Sequence, residues 1–322
     1  MLSQPRTGRG GTRRAAAGIL YVLASAVCFG SMPIFARAAF GAGVDVTTLL
    51  LLRFTAGAAC MWGVFFARGL RLPRGKGLAM LAAMGVGYAG QAYCYFKAIT
   101  MASVGLVSLL LYLYPALVAI LARVVFRQRL SGLQVAAVGI ALAGSALTIG
   151  RAGDGQPLGI FLGILAAVVY SAYILTGSRI PAHITPSAAT AVITTTAAAT
   201  FAGMAAVRGV RLPGTLPGWS AVLAVAVVGG VLAILFFFEG IERVGPVRAS
   251  VYSTVEPMVT LALAAALLGE QVTLLRAGGG VLILAAVVLL AREELRSKAA
   301  GAASPSALRR PSPAAPPPTA GG

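Results

Sequence analysis

Long apolar runs recur along the whole chain and leave only short segments between them. A helix needs about 20 predominantly apolar residues to span a bilayer, and ten stretches approach or exceed that length. The sequence therefore predicts an all-α integral membrane protein with ten transmembrane helices. Their expected bounds are Ala16–Ala36, Val46–Ala67, Gly77–Lys97, Ser103–Val125, Leu133–Ile149, Leu158–Ser178, Ser187–Val207, Gly218–Gly240, Arg248–Gly269 and Leu274–Ala291.

The composition excludes several classes of protein. Hydrophobic residues make up 58% of the chain and charged residues 11%, with a mean hydropathy of +0.89, so no large soluble catalytic domain fits beside the helices. Cys28, Cys60 and Cys94 lie inside apolar runs, and His183 is the single histidine, which argues against a disulfide framework and a zinc site. No nucleotide-binding motif is present. We expect no enzyme activity, no cofactor and no bound metal.

The basic residues indicate how the chain lies in the membrane. The chain carries 26 Lys and Arg against 8 Asp and Glu, a net charge of +18. With the N-terminus in the cytoplasm, most basic residues fall on the cytoplasmic side, as the positive-inside rule requires. This distribution leaves no basic stripe on a soluble face, so nucleic acid is not an expected partner. We expect a multi-pass protein of the cell (inner) membrane with both termini cytoplasmic.

The first apolar run has an alternative interpretation. Arg13 and Arg14 precede a stretch that contains Ala24-Ser25-Ala26, which fits a signal-peptidase site. The run continues well past that site and has a counterpart later in the chain. We therefore expect it to be a transmembrane helix.

The two halves of the chain resemble each other. Arg68–Pro73 recurs as Arg208–Pro213 with five of six positions identical. At a shift of 142 residues, Tyr95–Ile99 aligns with Phe237–Ile241, Ser108 with Ser250, Pro115 with Pro257 and Gln128 with Glu270. The matches predict a duplication, with five-helix repeats at 16–150 and 157–291 between disordered cytoplasmic tails at 1–15 and 292–322. Because five is odd, the second repeat should enter the membrane from the opposite side, and inverted repeats suit alternating access.

Two charged residues lie well inside predicted spans. Arg53 should face the protein interior or water, because a charge in lipid is costly. It either satisfies carbonyl groups of a neighbouring helix, balances an anionic group such as a substrate carboxylate, or extends outward to the interface. Glu256 precedes Pro257 in the ninth span. Its carboxyl group either takes part in proton coupling or substrate binding, or only hydrogen-bonds a neighbouring helix.

Tyrosines cluster on the predicted central helices. Tyrosine combines an apolar face with a hydroxyl group, which suits a cavity for amphipathic solutes, although packing or interfacial anchoring is the alternative for each one. Pro115 and Pro257 occupy equal depths in the two repeats and should kink their helices. The candidates for substrate binding or coupling are Arg53, Tyr88, Gln91, Tyr95, Tyr112, Tyr114, Tyr170, Tyr252 and Glu256.

Several of these elements carry a family resemblance. Glu256–Leu263 runs into Leu268-Gly269-Glu270, Phe29-Gly30-Ser31 lies near the end of the first apolar stretch, and Leu52-Arg53-Phe54 lies in the second. They resemble the drug/metabolite transporter superfamily, in particular proteins with two EamA-type domains. The first repeat keeps Pro115 but has Tyr114 and Gln128 where the second repeat has acids. The resemblance implies a ten-helix secondary carrier, often an exporter of amino acids or other small metabolites.

The sequence thus predicts a secondary transporter that exports small amino-acid-like or otherwise amphipathic metabolites by alternating access. The alternative is a membrane-embedded channel or scaffold without active transport. The expected partners are a small-molecule substrate and the lipid bilayer. Substrate identity, coupling ion, direction and oligomeric state stay open, a homodimer being one alternative.

Overall fold

Helices account for nearly all of the regular structure. The computed structural model describes residues 9–127, 131–149, 155–244, 249 and 252–303, and the only β-type pairing within them is an isolated bridge between Ala102 and Gly155. The first half contains α1 (Arg9–Gly41), α2 (Val46–Ala67), α3 (Lys76–Ala98), α4 (Val104–Leu111), α5 (Tyr114–Phe126) and α6 (Gly132–Ile149). The second contains α7 (Pro157–Gly177), α8 (Pro186–Arg208), α9 (Leu216–Leu223), a π-helical stretch (Ala224–Leu232), α10 (Ala233–Val244), α11 (Glu256–Leu268) and α12 (Leu274–Ala303). The predicted all-α class is confirmed for these residues.

Seven of the described helical stretches are long and apolar enough to cross a membrane. They are Ala16–Gly41, Val46–Ala67, Val104–Val125, Pro157–Gly177, Pro186–Arg208, Leu216–Val244 and Leu274–Glu293. Gly132–Leu147 and Glu256–Leu268 are apolar but shorter. Helix α3 has the length of a span, but Gln91, Lys97 and several tyrosines lower its apolar content. The chain is a multi-pass membrane protein.

Both terminal helices extend past the bounds that the apolar pattern predicts. Helix α1 begins at Arg9, before the expected start at Ala16, and α12 continues to Ala303, past the expected end at Ala291. Alanine, leucine and arginine are good helix formers, which favours the continuation of α12 after its apolar run ends. The rest of the two predicted tails, 1–8 and 304–322, lies outside the described residues, as do Gln128 and Ser250 of the repeat alignment.

The two halves pack into one another through equivalent helices. Helix α2 packs on α8 and α6 packs on α12, and each pair occupies the same place in the two halves. Helix α1 packs on α10 and α11, and its counterpart α7 packs on the equivalent helices α3 and α5. The start of α2 lies beside the end of α8, where the Arg211 N–H donates to Thr48 Oγ1 at 3.0 Å. Equivalent helices α2 and α8 therefore run antiparallel, and both halves build one core.

Candidate functional site

Two helices are interrupted where the sequence places its paired prolines. Helix α4 ends at Leu111, a turn follows at Tyr112–Leu113, and Pro115 lies in the first turn of α5. A turn at 254–255 likewise precedes α11, whose first turn contains Glu256 and Pro257. At each proline the helix is thus interrupted by a two-residue turn, in which Leu113 and Val255 keep helical backbone angles. The physical reason is that proline fits the first turn of a helix, where its missing N–H has no intrahelical partner to lose.

A cavity of about 270 Å³ lies at these interruptions. Its walls come from α1, α2, α3, the α4–α5 turn, α7, α10 and the start of α11. Most of the predicted site residues line it, namely Arg53, Tyr88, Gln91, Tyr95, Tyr112, Tyr114, Tyr170 and Glu256. Tyr252 does not line the cavity, whereas its neighbour Ser253 does. The structure thus brings residues from both halves of the chain to one site.

Aromatic side chains form a continuous row along one side of this cavity. Tyr88 of α3 stacks on Tyr173 of α7 at 5.2 Å between ring centroids, and Tyr173 stacks on Tyr170 at 6.0 Å. Tyr170 meets Tyr114 edge to face at 4.9 Å, and Tyr114 lies 5.9 Å from Tyr112. Such a row offers ring faces to an apolar body and hydroxyl groups to polar substituents.

Arg53 is the cation of the cavity and is 8% exposed. Its guanidinium carbon lies 4.9 Å from the ring centroid of Phe54 and 5.5 Å from that of Phe96. Within the described part of the chain, no carboxylate oxygen lies within 4.0 Å of it and no carbonyl oxygen accepts a hydrogen bond from it. Aromatic faces hold the guanidinium in place without neutralising its charge.

Glu256 is the carboxyl group of the same cavity. It hydrogen-bonds the side chain of Tyr112, which lies at the interruption between α4 and α5. Glu256 and Tyr112 thus join the two interrupted helices across the repeats. The cavity combines one acid, one base and a tyrosine row, which suits a solute with both charged and apolar parts.

Gly30 holds α1 against the start of α11. A Cβ atom on Gly30 would lie 2.8 Å from the backbone oxygen of Glu256 and 2.9 Å from Val259 Cβ, so only glycine permits this approach. Thr260 Oγ1 donates to the Gly30 carbonyl oxygen at 2.9 Å. This contact positions both Phe29 and Glu256 at the cavity wall.

The sequence reasoning did not select several residues of the cavity wall. These are Met32, Ala92, Phe96, Leu111, Phe237 and Ser253, with Phe29 noted only for its motif. Two signals were available: Phe29 and Met32 share a face at i, i+3 spacing, and Phe237 is the repeat equivalent of Tyr95. Ala92, Phe96 and Leu111 could not be chosen, because an apolar residue in an apolar helix carries no local sign of facing a cavity.

The chain is similar to known proteins over most of its length. An uncharacterized transporter of Bacillus subtilis (strain 168), YcbK, is 28% identical over 285 residues, which cover 82% of this chain and 89% of the relative. A solved crystal structure shares the fold with a TM-score of 0.61 at 20% identity, covering 85% of this chain and 97% of the other. The relative is named as a transporter, and the solved structure shows a shared fold alone.

The family itself is shown by a match that covers both halves. Residues 16–150 and residues 157–292 each match the EamA-like transporter family. The two matches together include the interrupted helices, the tyrosine row and both charged residues of the cavity. The resemblance noted in the sequence is therefore confirmed, and the chain belongs to the EamA-like transporter family.

Proposed function

We propose that the chain is a secondary transporter that exports small amphipathic metabolites, including amino-acid-like solutes, across the inner membrane. The observation that carries this proposal is the cavity that holds Arg53 and Glu256 beside a row of tyrosine rings. A cavity that mixes aromatic faces with a few placed polar groups is suited to a small ligand. The solute's apolar part packs on the rings, and its charged groups meet Arg53 and Glu256.

Arg53 supplies the part of the site that binds an anionic group. A structural role would pair the guanidinium with carbonyl oxygens, and no such bond is found among the described residues. A buried cation whose partners are aromatic faces keeps its charge available for a carboxylate. This favours the counter-charge alternative for Arg53 over the structural one.

The proposed mechanism is alternating access by ten spans in two inverted repeats. The antiparallel packing of α2 on α8 and the matched helix contacts of the two halves support this arrangement. The seven long spans, the two shorter apolar helices and α3 together supply ten segments. Discontinuous helices at the interface between two repeats are a recurrent feature of carriers that bind solute at the membrane midplane. Both termini are then cytoplasmic.

The test compares metabolites in the medium of cells that overexpress the chain with those of cells that lack it. Solutes enriched outside in the first culture are then loaded into proteoliposomes that contain the purified chain. We expect saturable flux and acceleration by solute on the opposite side. The matched variants are Arg53→Gln, which should lose the enrichment, and Arg68→Gln in an exposed loop, which should keep it. Flux without saturation or counterflow would show a channel, and no flux would favour a scaffold.

A further inference from the structure

A second cavity, of about 220 Å³, lies at the end of α3 and away from the tyrosine row. Its walls are Asp45–Thr47 at the start of α2, Tyr93 and Lys97 of α3, and Arg208, Gly209 and Arg211 at and just after the end of α8. It shares no lining residue with the first cavity. Both cavities are bordered by α2 and α3, so the second lies next to the first along these helices. The proposed topology puts it on the extracytoplasmic side.

The acidic residue that lines this cavity, Asp45, already accepts hydrogen bonds from its own helix. Asp45 Oδ2 accepts hydrogen bonds from the backbone N–H groups of Thr47 at 2.9 Å and Thr48 at 3.2 Å. Asp45 Oδ1 accepts one from Thr48 Oγ1. The carboxylate therefore caps α2 and is oriented by the helix it begins.

The three basic side chains keep their charge available. Lys97 is half-buried, and Arg208 and Arg211 are exposed. Among the described residues, no carboxylate oxygen lies within 4.0 Å of Lys97, Arg208 or Arg211. Arg208 Nη1 donates to Tyr93 Oη at 2.9 Å, which orients its guanidinium over the cavity wall. With Asp45 included, the cavity carries two net positive charges in a confined space.

The equivalent place in the other repeat lacks this cluster. The two arginines recur there as Arg68 and Arg71, but Lys97 is replaced by Glu239 at the 142-residue shift and Tyr93 by Leu235. Glu239 also forms an ion pair with Arg243. The ammonium group of Lys97 and the hydroxyl group of Tyr93 are therefore particular to this cavity, whereas the two arginines belong to the repeated loop.

We propose that this second cavity binds the anionic group, a carboxylate or phosphate, of a small molecule. Guanidinium and ammonium groups make strong charge-assisted hydrogen bonds to such oxygens. The volume is below that of pockets which enclose drug-sized ligands, so it fits one anionic group with a few attached atoms. Positive charge confined in a cleft also raises the local concentration of anions. The same chemistry is offered by a soluble anion and by the phosphate of a lipid headgroup.

The experiment measures how fast phenylglyoxal modifies arginine in the intact chain, followed by mass spectrometry of the peptides. The chain is held in phosphatidylcholine nanodiscs, and inorganic phosphate is added at constant ionic strength against a sodium chloride reference. We expect phosphate to slow the modification of Arg208 and Arg211 severalfold, with saturation. The internal control is the pair Arg68 and Arg71, which should react at an unchanged rate because the equivalent loop lacks the cluster.

A second arm separates the two sources of the anion. Without added phosphate, the rates of arginine modification in nanodiscs that contain phosphatidylglycerol are compared with the rates in nanodiscs of phosphatidylcholine alone. Protection there, greater at Arg208 and Arg211 than at Arg68 and Arg71, identifies a lipid headgroup as an occupant of the same site. Equal rates in all conditions, or equal slowing at both pairs of arginines, would overturn the proposal.

Two variants of α3 with the same charge change make the test specific. Lys97→Glu should raise the phosphate concentration for half-protection about tenfold or more, since it removes a charge-assisted contact and adds repulsion. Lys76→Glu, at the other end of the helix and outside both cavities, should leave that concentration unchanged. Lys97→Gln serves as the milder change and should give an intermediate shift. An unchanged elution volume in size-exclusion chromatography shows that the variants are folded. If phosphate then protects Lys97→Glu and Lys97→Gln protein as it protects the wild type, the assigned site is wrong.

Discussion

The carboxylate of Glu270 accepts a hydrogen bond from the backbone N–H of Val104, with 2.6 Å between Oε1 and the nitrogen. Its other oxygen accepts from the N–H of Gly105 at 3.0 Å. These groups begin α4, where the N–H groups have no intrahelical partner and the helix dipole favours negative charge. Glu270 follows the end of α11, so it ties the outer ends of the two interrupted helices together.

Removing this cap should lower the thermal stability of the chain. Glu270→Ala leaves two N–H groups without their acceptor and should cost about 1–3 kcal/mol. Glu270→Gln keeps one acceptor oxygen and should cost less. The measurement is the unfolding temperature of the purified protein in detergent. Glu242→Ala, at an exposed position on α10, is the matched control; equal unfolding temperatures for all three variants would mean that the cap does not stabilise the fold.

A methyl group added at Gly30, which does not line the cavity, should displace residues that do. In Gly30→Ala the new Cβ would meet Glu256 O and Val259 Cβ below normal contact distance, so α1 must move away from α11. Overpacking of this kind costs about 1–3 kcal/mol. We expect a lower unfolding temperature together with reduced transport.

The control for this change lies on α2. At Gly63 an added Cβ would meet no described atom within 4 Å, and the position is exposed. Gly63→Ala should therefore be neutral or slightly stabilising, because alanine favours helix more than glycine does. If Gly30→Ala matched Gly63→Ala in both measurements, the close approach would have no functional consequence.

The main features of the fold and the cavity were predictable from local signals. Apolar length predicted the spans, and an isolated charge in an apolar run marked Arg53 and Glu256 as interior groups. The interruptions were not predictable as such. Pro115 signals a disturbed helix, but whether the chain bends or breaks depends on packing around Tyr112 and Leu113.

The π-helical stretch at Ala224–Leu232 is a second feature that the local sequence does not predict. No residue type in it predicts an extra residue per turn. The stretch lies where α1 approaches closely, since a Cβ on Gly229 would lie 2.6 Å from Met32 Cβ of α1. Tyr252 was predicted to line the cavity, but its neighbour Ser253 lines it instead. The rotation of a helix about its axis decides which of two adjacent residues faces inward, and this rotation depends on tertiary packing.

Opposite sidedness of two equivalent loops is expected from the inverted arrangement. Single cysteines replacing Gly75 and Gly214 should be labelled from the cytoplasm and from outside, respectively. The background lacks Cys28, Cys60 and Cys94. The measurement uses a membrane-impermeant thiol reagent on intact cells and on inside-out vesicles. Labelling of both loops from the same side would exclude inverted repeats.

Arg53→Gln should reduce transport selectively. The change keeps hydrogen-bonding capacity but removes the charge, so solutes with a carboxylate should lose about tenfold or more in transport efficiency. Solutes without an anionic group should be affected little. The readout is uptake into proteoliposomes for a pair of solutes that differ only by amidation of the carboxylate. An equal loss for both members of the pair would indicate that Arg53 is structural.

Glu256→Gln separates a proton-coupling role from a packing role. The amide keeps the size and the hydrogen bond with Tyr112 but cannot exchange a proton. If the carboxyl group couples transport to protons, net uptake driven by an imposed pH gradient should be abolished while exchange of solute for solute continues. If Glu256 serves only as a hydrogen-bond partner, both activities should persist near the wild-type level.

Tyr112→Phe completes the test of Glu256 because it removes the hydrogen-bonded partner and leaves the carboxyl group in place. We expect this variant to keep proton-driven uptake, with a changed dependence on pH, whereas Glu256→Gln loses it. The contrast identifies the ionisable group itself, since Tyr112→Phe breaks the link between the two interrupted helices but keeps the carboxyl group, whereas Glu256→Gln keeps the link but loses that group. Wild-type uptake by reconstituted Glu256→Gln protein under a pH gradient would refute proton coupling at this residue, and the driving ion would then have to act elsewhere in the cavity.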